Sequence, residues 1–227
     1  MVGANSANSF VNPLTETMGA FVASDGSAFS VSAQSSHADD WCFPAVCATA
    51  IPFVDVEASI GFDAVVGGDL AAGGSGREFG LLAQYFLGPD VFTFSAGEDS
   101  SPLSVSASFD GDPIAVSMIT DASGNVHLST TFVRQFTLAT LGCFDCPLFS
   151  DSQKLSVEME GSGFVDAAHT FTVTLTALDP GVVLASTDGR VASGPAAPEP
   201  VPEPTSVLLL GTGLFAAGRR CWRRSRL

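Results

Sequence analysis

The chain has 227 residues, enough for one domain with appendages and a sizeable core. It carries 9 basic and 24 acidic residues, a formal net charge of −15. All 24 acids but only Arg77, Arg134, Lys154 and Arg190 among the cations fall in residues 1–218, so that portion carries −20, which excludes binding to a phosphate backbone.

From the N-terminus, "MVGANSANSFVNPLTETMGAF" contains neither Lys nor Arg and no apolar run of the roughly 7–15 residues that an export leader needs. "GANSANS" reads as a mature N-terminus after cleavage of a leader. Beyond it, period-2 alternation dominates. "AFSVSAQ" places Phe29, Val31 and Ala33 on one face and Ser30, Ser32 and Gln34 on the other. "HADDWCFPAVCATAIP" (37–52) reads as a small cysteine loop. "FVDVEASIGF" sets Val54, Val56, Ala58, Ile60 and Phe62 against Asp55, Glu57 and Ser59.

"GGDLAAGGSGREFG" (67–80) is a glycine loop without the Gly-Lys-Ser/Thr ending of a phosphate-binding loop. Next, Leu103, Val105, Ala107 and Phe109 lead into a "DGDP" turn, and Ile114, Val116 and Met118 lead out of it. "DASGN" turns the chain into "VHLSTTFVRQFTL". His169 begins the last strand of the series, "HTFTVTLTAL", with Phe171, Val173 and Leu175 inward and a threonine ladder outward. Short alternating runs separated by Gly, Asp, Asn and Pro predict antiparallel sheet with one wet face. Roughly ten strands in this length predict an all-β fold, an antiparallel, jelly-roll-like β-sandwich over residues 1–190.

Little in the body points to chemistry. His37, His127 and His169 lack the spacing of a metal or protease motif, and no Gly-x-Ser-x-Gly or His-Glu-x-x-His pattern occurs. The reading is therefore non-catalytic, with no cofactor and no metal. Asp121, Ser123 and Asn125 resemble half a calcium loop, but the closing bidentate Glu is missing at the right distance, and turn chemistry accounts for them. Cys42 and Cys47 form C-x4-C, and Cys143 and Cys146 form C-x2-C. In an exported domain these four are disulfides; in the cytosol they could make a four-thiolate zinc site. Two local bridges are the simplest pairing, with crossed pairings open.

The C-terminal end decides the compartment. Residues 191–204 form a Pro-rich linker, "VASGPAAPEPVPEP", and residues 205–227 form a short apolar helix followed by arginines. The apolar run from Val207 to Gly218 is twelve residues, about 18 Å as a helix against a hydrocarbon core of about 30 Å. It includes Val207, Leu208, Leu209, Leu210, Gly211, Gly213, Leu214 and Phe215, and the basic cluster after it is Arg219, Arg220, Arg223, Arg224 and Arg226. Snorkelling arginines and an interfacial Trp222 lengthen the effective span, so a short transmembrane helix is expected.

Pro202-Glu203-Pro204, the apolar helix and the arginines, in this order at the C-terminus, resemble the PEP-CTERM protein-sorting signal of Gram-negative bacteria. The resemblance covers about the last 27 residues. It implies an exosortase as processing partner, transient anchoring in the inner membrane, and release to the cell surface or extracellular matrix. It also implies company with exopolysaccharide. Cys221 within the basic cluster departs from the usual pattern. The function expected is that of a structural surface or matrix protein; a carbohydrate- or calcium-binding adhesion module is the alternative. For sugar stacking the body offers only Trp41 and Tyr85.

Overall fold

Alternating small polar and β-branched or aromatic residues build strands almost throughout. The structure, a computed structural model, describes residues 5–26, 30–42, 53–67, 78–99, 103–139 and 149–196. The chain divides into a unit of Met1–Pro195 and a second of Ala196–Leu227. The strands are β1 Ser6–Asn12, β2 Thr17–Asp25, β3 Val31–Cys42, β4 Phe53–Gly67, β5 Glu78–Leu87, β6 Asp90–Asp99 and β7 Ser104–Phe109, followed by β8 Asp112–Ile114, β9 Ser117–Thr120, β10 Val126–Ala139, β11 Phe149–Glu160, β12 Ser162–Ala177, β13 Val183–Ser186 and β14 Val191–Ser193. A single 3-10 turn, Pro13–Thr15, joins β1 to β2, and no α-helix occurs among the described residues.

The strands form two antiparallel sheets. One has the order β1-β2-β12-β4-β10-β9; the other is β14-β13-β3-β11-β5-β6-β7-β8. From β2 to β12 the chain passes repeatedly between the sheets, so neighbours in space are mostly distant in sequence. The two inner faces share one core. Phe62 of β4 meets Phe94 of β6 with ring centroids 4.3 Å apart, and Phe109 of β7 stacks on Phe132 of β10 at 5.0 Å. The predicted inward sets hold on β4, where Val54, Val56, Ala58, Ile60 and Phe62 are buried, and on β12, where Phe171, Val173 and Leu175 are buried. Each large apolar side chain so buried contributes about 1.5–3 kcal/mol.

The "DGDP" turn is a two-residue hairpin, with Asp110 at φ 49° and Gly111 at φ 86° between β7 and β8. Positive φ at both central positions is what Asp-Gly supplies at low cost. Beyond it the structure departs from the alternation. β8 ends in one sheet and β9 begins in the other. Met118, expected inward, is 58 % exposed. β9 has only four residues and pairs with β10 alone, at the sheet's edge, so neither of its faces is covered. His169 lies inside β12 instead of beginning a strand, where the pairing register shifts between Ala167 and Phe171.

Candidate functional site

On β3 the inward phase runs Val31, Ala33 and Ser35, and then turns polar with His37, Asp39 and Trp41. β11, its antiparallel neighbour, matches this: Leu155 and Val157 face the core, and Gln153 and Asp151 follow. The register sets Gln153 opposite His37, Asp151 opposite Asp39 and Phe149 opposite Trp41. On the other side of β11, Gln153 stands opposite Tyr85 of β5. One end of the interior is thus lined with polar and aromatic groups, and Arg190, from the β13–β14 turn, enters it.

Arg190 is the hub. Its Nε and Nη2 donate to Asp39 Oδ2 at 3.1 and 2.6 Å, and Nη2 lies 3.6 Å from Asp151 Oδ1. Nη1 pairs with Glu16, which caps the 3-10 turn in a left-handed conformation at φ 46°. The guanidinium sits 4.8 Å from the Trp41 ring centroid, and Trp41 stacks in turn on Phe149 at 6.0 Å. Asp39 Oδ1 accepts from the Thr187 hydroxyl at 2.6 Å and the Asp40 amide at 2.8 Å. Tyr85 donates its hydroxyl to Asp151 Oδ2 at 3.2 Å.

Glu16, Asp39, Asp151, Gln153 and Arg190 are all buried. Burial pushes the Asp151 carboxyl up to about 7, the Tyr85 hydrogen bond opposing and the Asp39 charge assisting. Burial likewise raises the Tyr85 hydroxyl well above its ordinary value and lowers Arg190 to about 10. A cleft of about 240 Å³ opens over Glu16, Trp41 and Arg190, with Leu14 and Val191 exposed at its rim. It is smaller than the roughly 300–1,000 Å³ that encloses a drug-sized ligand.

Beside the hub, His37 Nε2 lies 3.4 Å from Asp188 Oδ2. Donor atoms of His37, Asp39 and Asp188 lie within 4.8 Å of one another, a set able to hold a cation. His127 is a separate case, half-exposed, with Nε2 3.3 Å from Asp121 Oδ2. The Asp121 carboxylate is occupied by its own turn: Oδ1 accepts from the Ser123 and Asn125 amides at 2.8 and 2.9 Å, and Oδ2 from Asn125 Nδ2 at 3.0 Å. These bonds, the Asn125 side chain's foremost, hold its carboxyl down at about 2.

Of the cysteines, Cys42 ends β3 and is disulfide-bonded. Cys47, Cys143 and Cys146 lie outside the described residues, as do the PEP motif, the apolar run and the arginine cluster. Among the described residues no helix is long and apolar enough to cross a membrane. The two aromatics considered for sugar stacking are both buried: Trp41 is 2 % exposed and Tyr85 1 %. Motif reading missed the Arg190 hub because it is assembled from separate strands. One signal was present, since Asp39 and Asp151 fall on the inward phase, where an acid needs a partner.

Sequence comparison bears on the tail. No curated protein and no solved structure matches the chain. The model of the PEP-CTERM protein-sorting motif matches residues 197–224, the stretch that holds Pro202-Glu203-Pro204, the apolar run and four of the five terminal arginines. The chain therefore carries a C-terminal PEP-CTERM sorting motif, the mark of an exosortase substrate directed toward the cell envelope or surface.

Proposed function

We propose that the protein is a non-catalytic surface or matrix protein: a jelly-roll β-sandwich, exported and anchored briefly by its tail, then released by exosortase into an exopolysaccharide-containing matrix. The sorting motif at 197–224 carries this reading. The strand order supports the fold name. β2-β12-β4-β10 faces β3-β11-β5-β6, the two four-stranded sheets of a jelly roll, with the other strands added at their edges.

Three physical features support the tail's part. Its prolines disfavour helix in the residues before them and keep the motif extended and reachable. The apolar run holds that motif near the membrane, and the arginines favour a cytoplasmic C-terminus with the acidic body outside. A body net of −20 over residues 1–218 favours a soluble, dispersed product after release. In an oxidising compartment Cys42, Cys47, Cys143 and Cys146 pair as two disulfides.

Expression from its own locus in an exosortase-bearing host tests the reading. The intact mass of the released protein should end near Pro202–Ser206 and lack the arginines. Deleting the exosortase, or replacing Glu203 and both flanking prolines with alanine, should leave a longer, membrane-held form. A released protein that keeps Arg219–Leu227 contradicts it.

The alternative, a carbohydrate- or calcium-binding adhesion module, draws support from the jelly-roll order, which lectins share. The burial of Trp41 and Tyr85 and the filled Asp121 turn weigh against an aromatic sugar platform and against calcium at that turn. Polysaccharide arrays and calcium calorimetry distinguish the two readings.

A further inference from the structure

Among the described residues, the polar end of the core sets several carboxyl groups around one guanidinium. Glu16, Asp39 and Asp151 face Arg190, and Asp188 stands at the edge beside His37. Two other side chains there hold buried polar atoms that make no hydrogen bond. His37 Nε2 is buried and makes no hydrogen bond, its 3.4 Å approach to Asp188 being longer than the roughly 2.7–2.9 Å of a charge-assisted one. Gln153, 2 % exposed and opposite His37 in the ladder, leaves both its amide oxygen and its amide nitrogen without a partner. Unpaired buried polar atoms are costly, because they give up their bonds to water without replacement. Their concentration beside a carboxylate cluster marks a place where something polar and positive belongs.

We propose that His37, Asp39 and Asp188 bind one divalent first-row transition-metal ion of the zinc class, a site distinct from the cysteines. The spacing fits such an ion. Bonds of about 2.1 Å in a tetrahedron put neighbouring donors about 3.4 Å apart, and His37 Nε2 and Asp188 Oδ2 are already 3.4 Å apart. Asp39 supplies the third donor. Its Oδ2 is held by Arg190, so an ion on Oδ1 would take the place of the Thr187 hydroxyl, with the Asp40 amide remaining on that oxygen. Gln153, opposite His37 in the ladder and with its amide unpartnered, is the candidate hydrogen-bond partner for a water in the fourth position. One imidazole with two carboxylates suits zinc, cobalt or manganese. Calcium, which takes about six to eight oxygens, finds too few here. The chain order suits a structural role: β3 supplies two ligands and the β13–β14 turn the third, so the ion would tie the last hairpin to β3, its neighbour in the sheet.

The test uses the full chain, purified in mild detergent and stripped with a chelator. Zinc titration by calorimetry near neutral pH should show one ion per chain and a raised melting temperature. His37→Ala and Asp188→Asn should each weaken zinc binding tenfold or more, and His127→Ala, which removes the other carboxylate-paired histidine, should leave it unchanged. Asp188 is part-exposed, so its variant keeps the test valid should His37→Ala fold poorly. Cobalt substitution should give visible d–d bands without a sulfur-to-metal charge-transfer band. Absence of stoichiometric zinc binding, binding unaffected by Asp188→Asn, or a thiolate charge-transfer band would each overturn the proposal.

Discussion

Arg190 shows how much can depend on one side chain in a body with four cations. It sits where Glu16, Asp39 and Asp151 converge, and all three are buried. Replacing it by Met keeps volume and removes the charge. Breaking a buried ion pair from one side costs about 3–5 kcal/mol, so Arg190→Met should lower the urea unfolding free energy by that order. Asp188→Asn, at the part-exposed pair, should change it by less than about 1 kcal/mol in metal-free buffer. Equal effects would show that Arg190 is no hub. Asp121 offers a contrast at the surface. Its carboxyl is depressed to about 2, so the bonds it accepts stabilise the turn above the unfolded value near 3.8 and are lost as pH falls through about 2. Amide NMR signals of Ser123 and Asn125 should hold steady down to about pH 3 and then titrate; a midpoint near 4 would mean that the turn does not hold the anion.

At the scale of elements, the sequence is readable where a strand has one face on the core. β4, and β12 from Phe171 to Ala177, follow their alternation, because a slip of one position would turn every buried side chain into solvent. β9 breaks the rule since an edge strand of four residues has no covered face, and alternation then carries no information. The Arg190 hub was illegible for another reason: its members are spread over most of the chain, and the pairing of β3 with β11 and the return of β13 bring Asp39, Asp151 and Arg190 together, while Glu16 comes from the turn before β2 in the other sheet. The tail was read from local order alone, which is why a motif sufficed there. β13 and β14 make the hairpin that delivers Arg190, and a tight approach locks it. A Cβ on Gly194 would overlap the carbonyl of Asp179, a backbone atom that cannot swing aside. Gly194→Ala should therefore loosen this hairpin first. Hydrogen exchange should quicken at Leu184 and Ala192 while that of Ile60 and Val173, in the other sheet, stays slow; uniform protection would refute the local effect.

At the scale of the molecule, charge and core are separated. The fourteen strands of the described residues and the shared apolar core lie within Met1–Pro195, so a chain ending at Ala196 should fold with an unchanged β-type circular-dichroism spectrum. That fragment keeps 22 acids against four cations, a net of −18, once Glu199 and Glu203 are removed with the tail. Self-repulsion of this size opposes compaction. Salt relieves it, because the screening length drops from about 30 Å at 0.01 M to about 8 Å at 0.15 M, shorter than the distances over which most surface acids repel. The buried attraction around Arg190 is shielded from the same ions by the protein around it. Repulsion should therefore be screened more than attraction, and the urea midpoint should rise between 0.01 and 0.15 M sodium chloride. Sodium sulfate at matched ionic strength should raise it further through its exclusion from the protein surface. A midpoint that falls with sodium chloride would mean that exposed ion pairs, such as His127–Asp121, contribute more than the net charge costs.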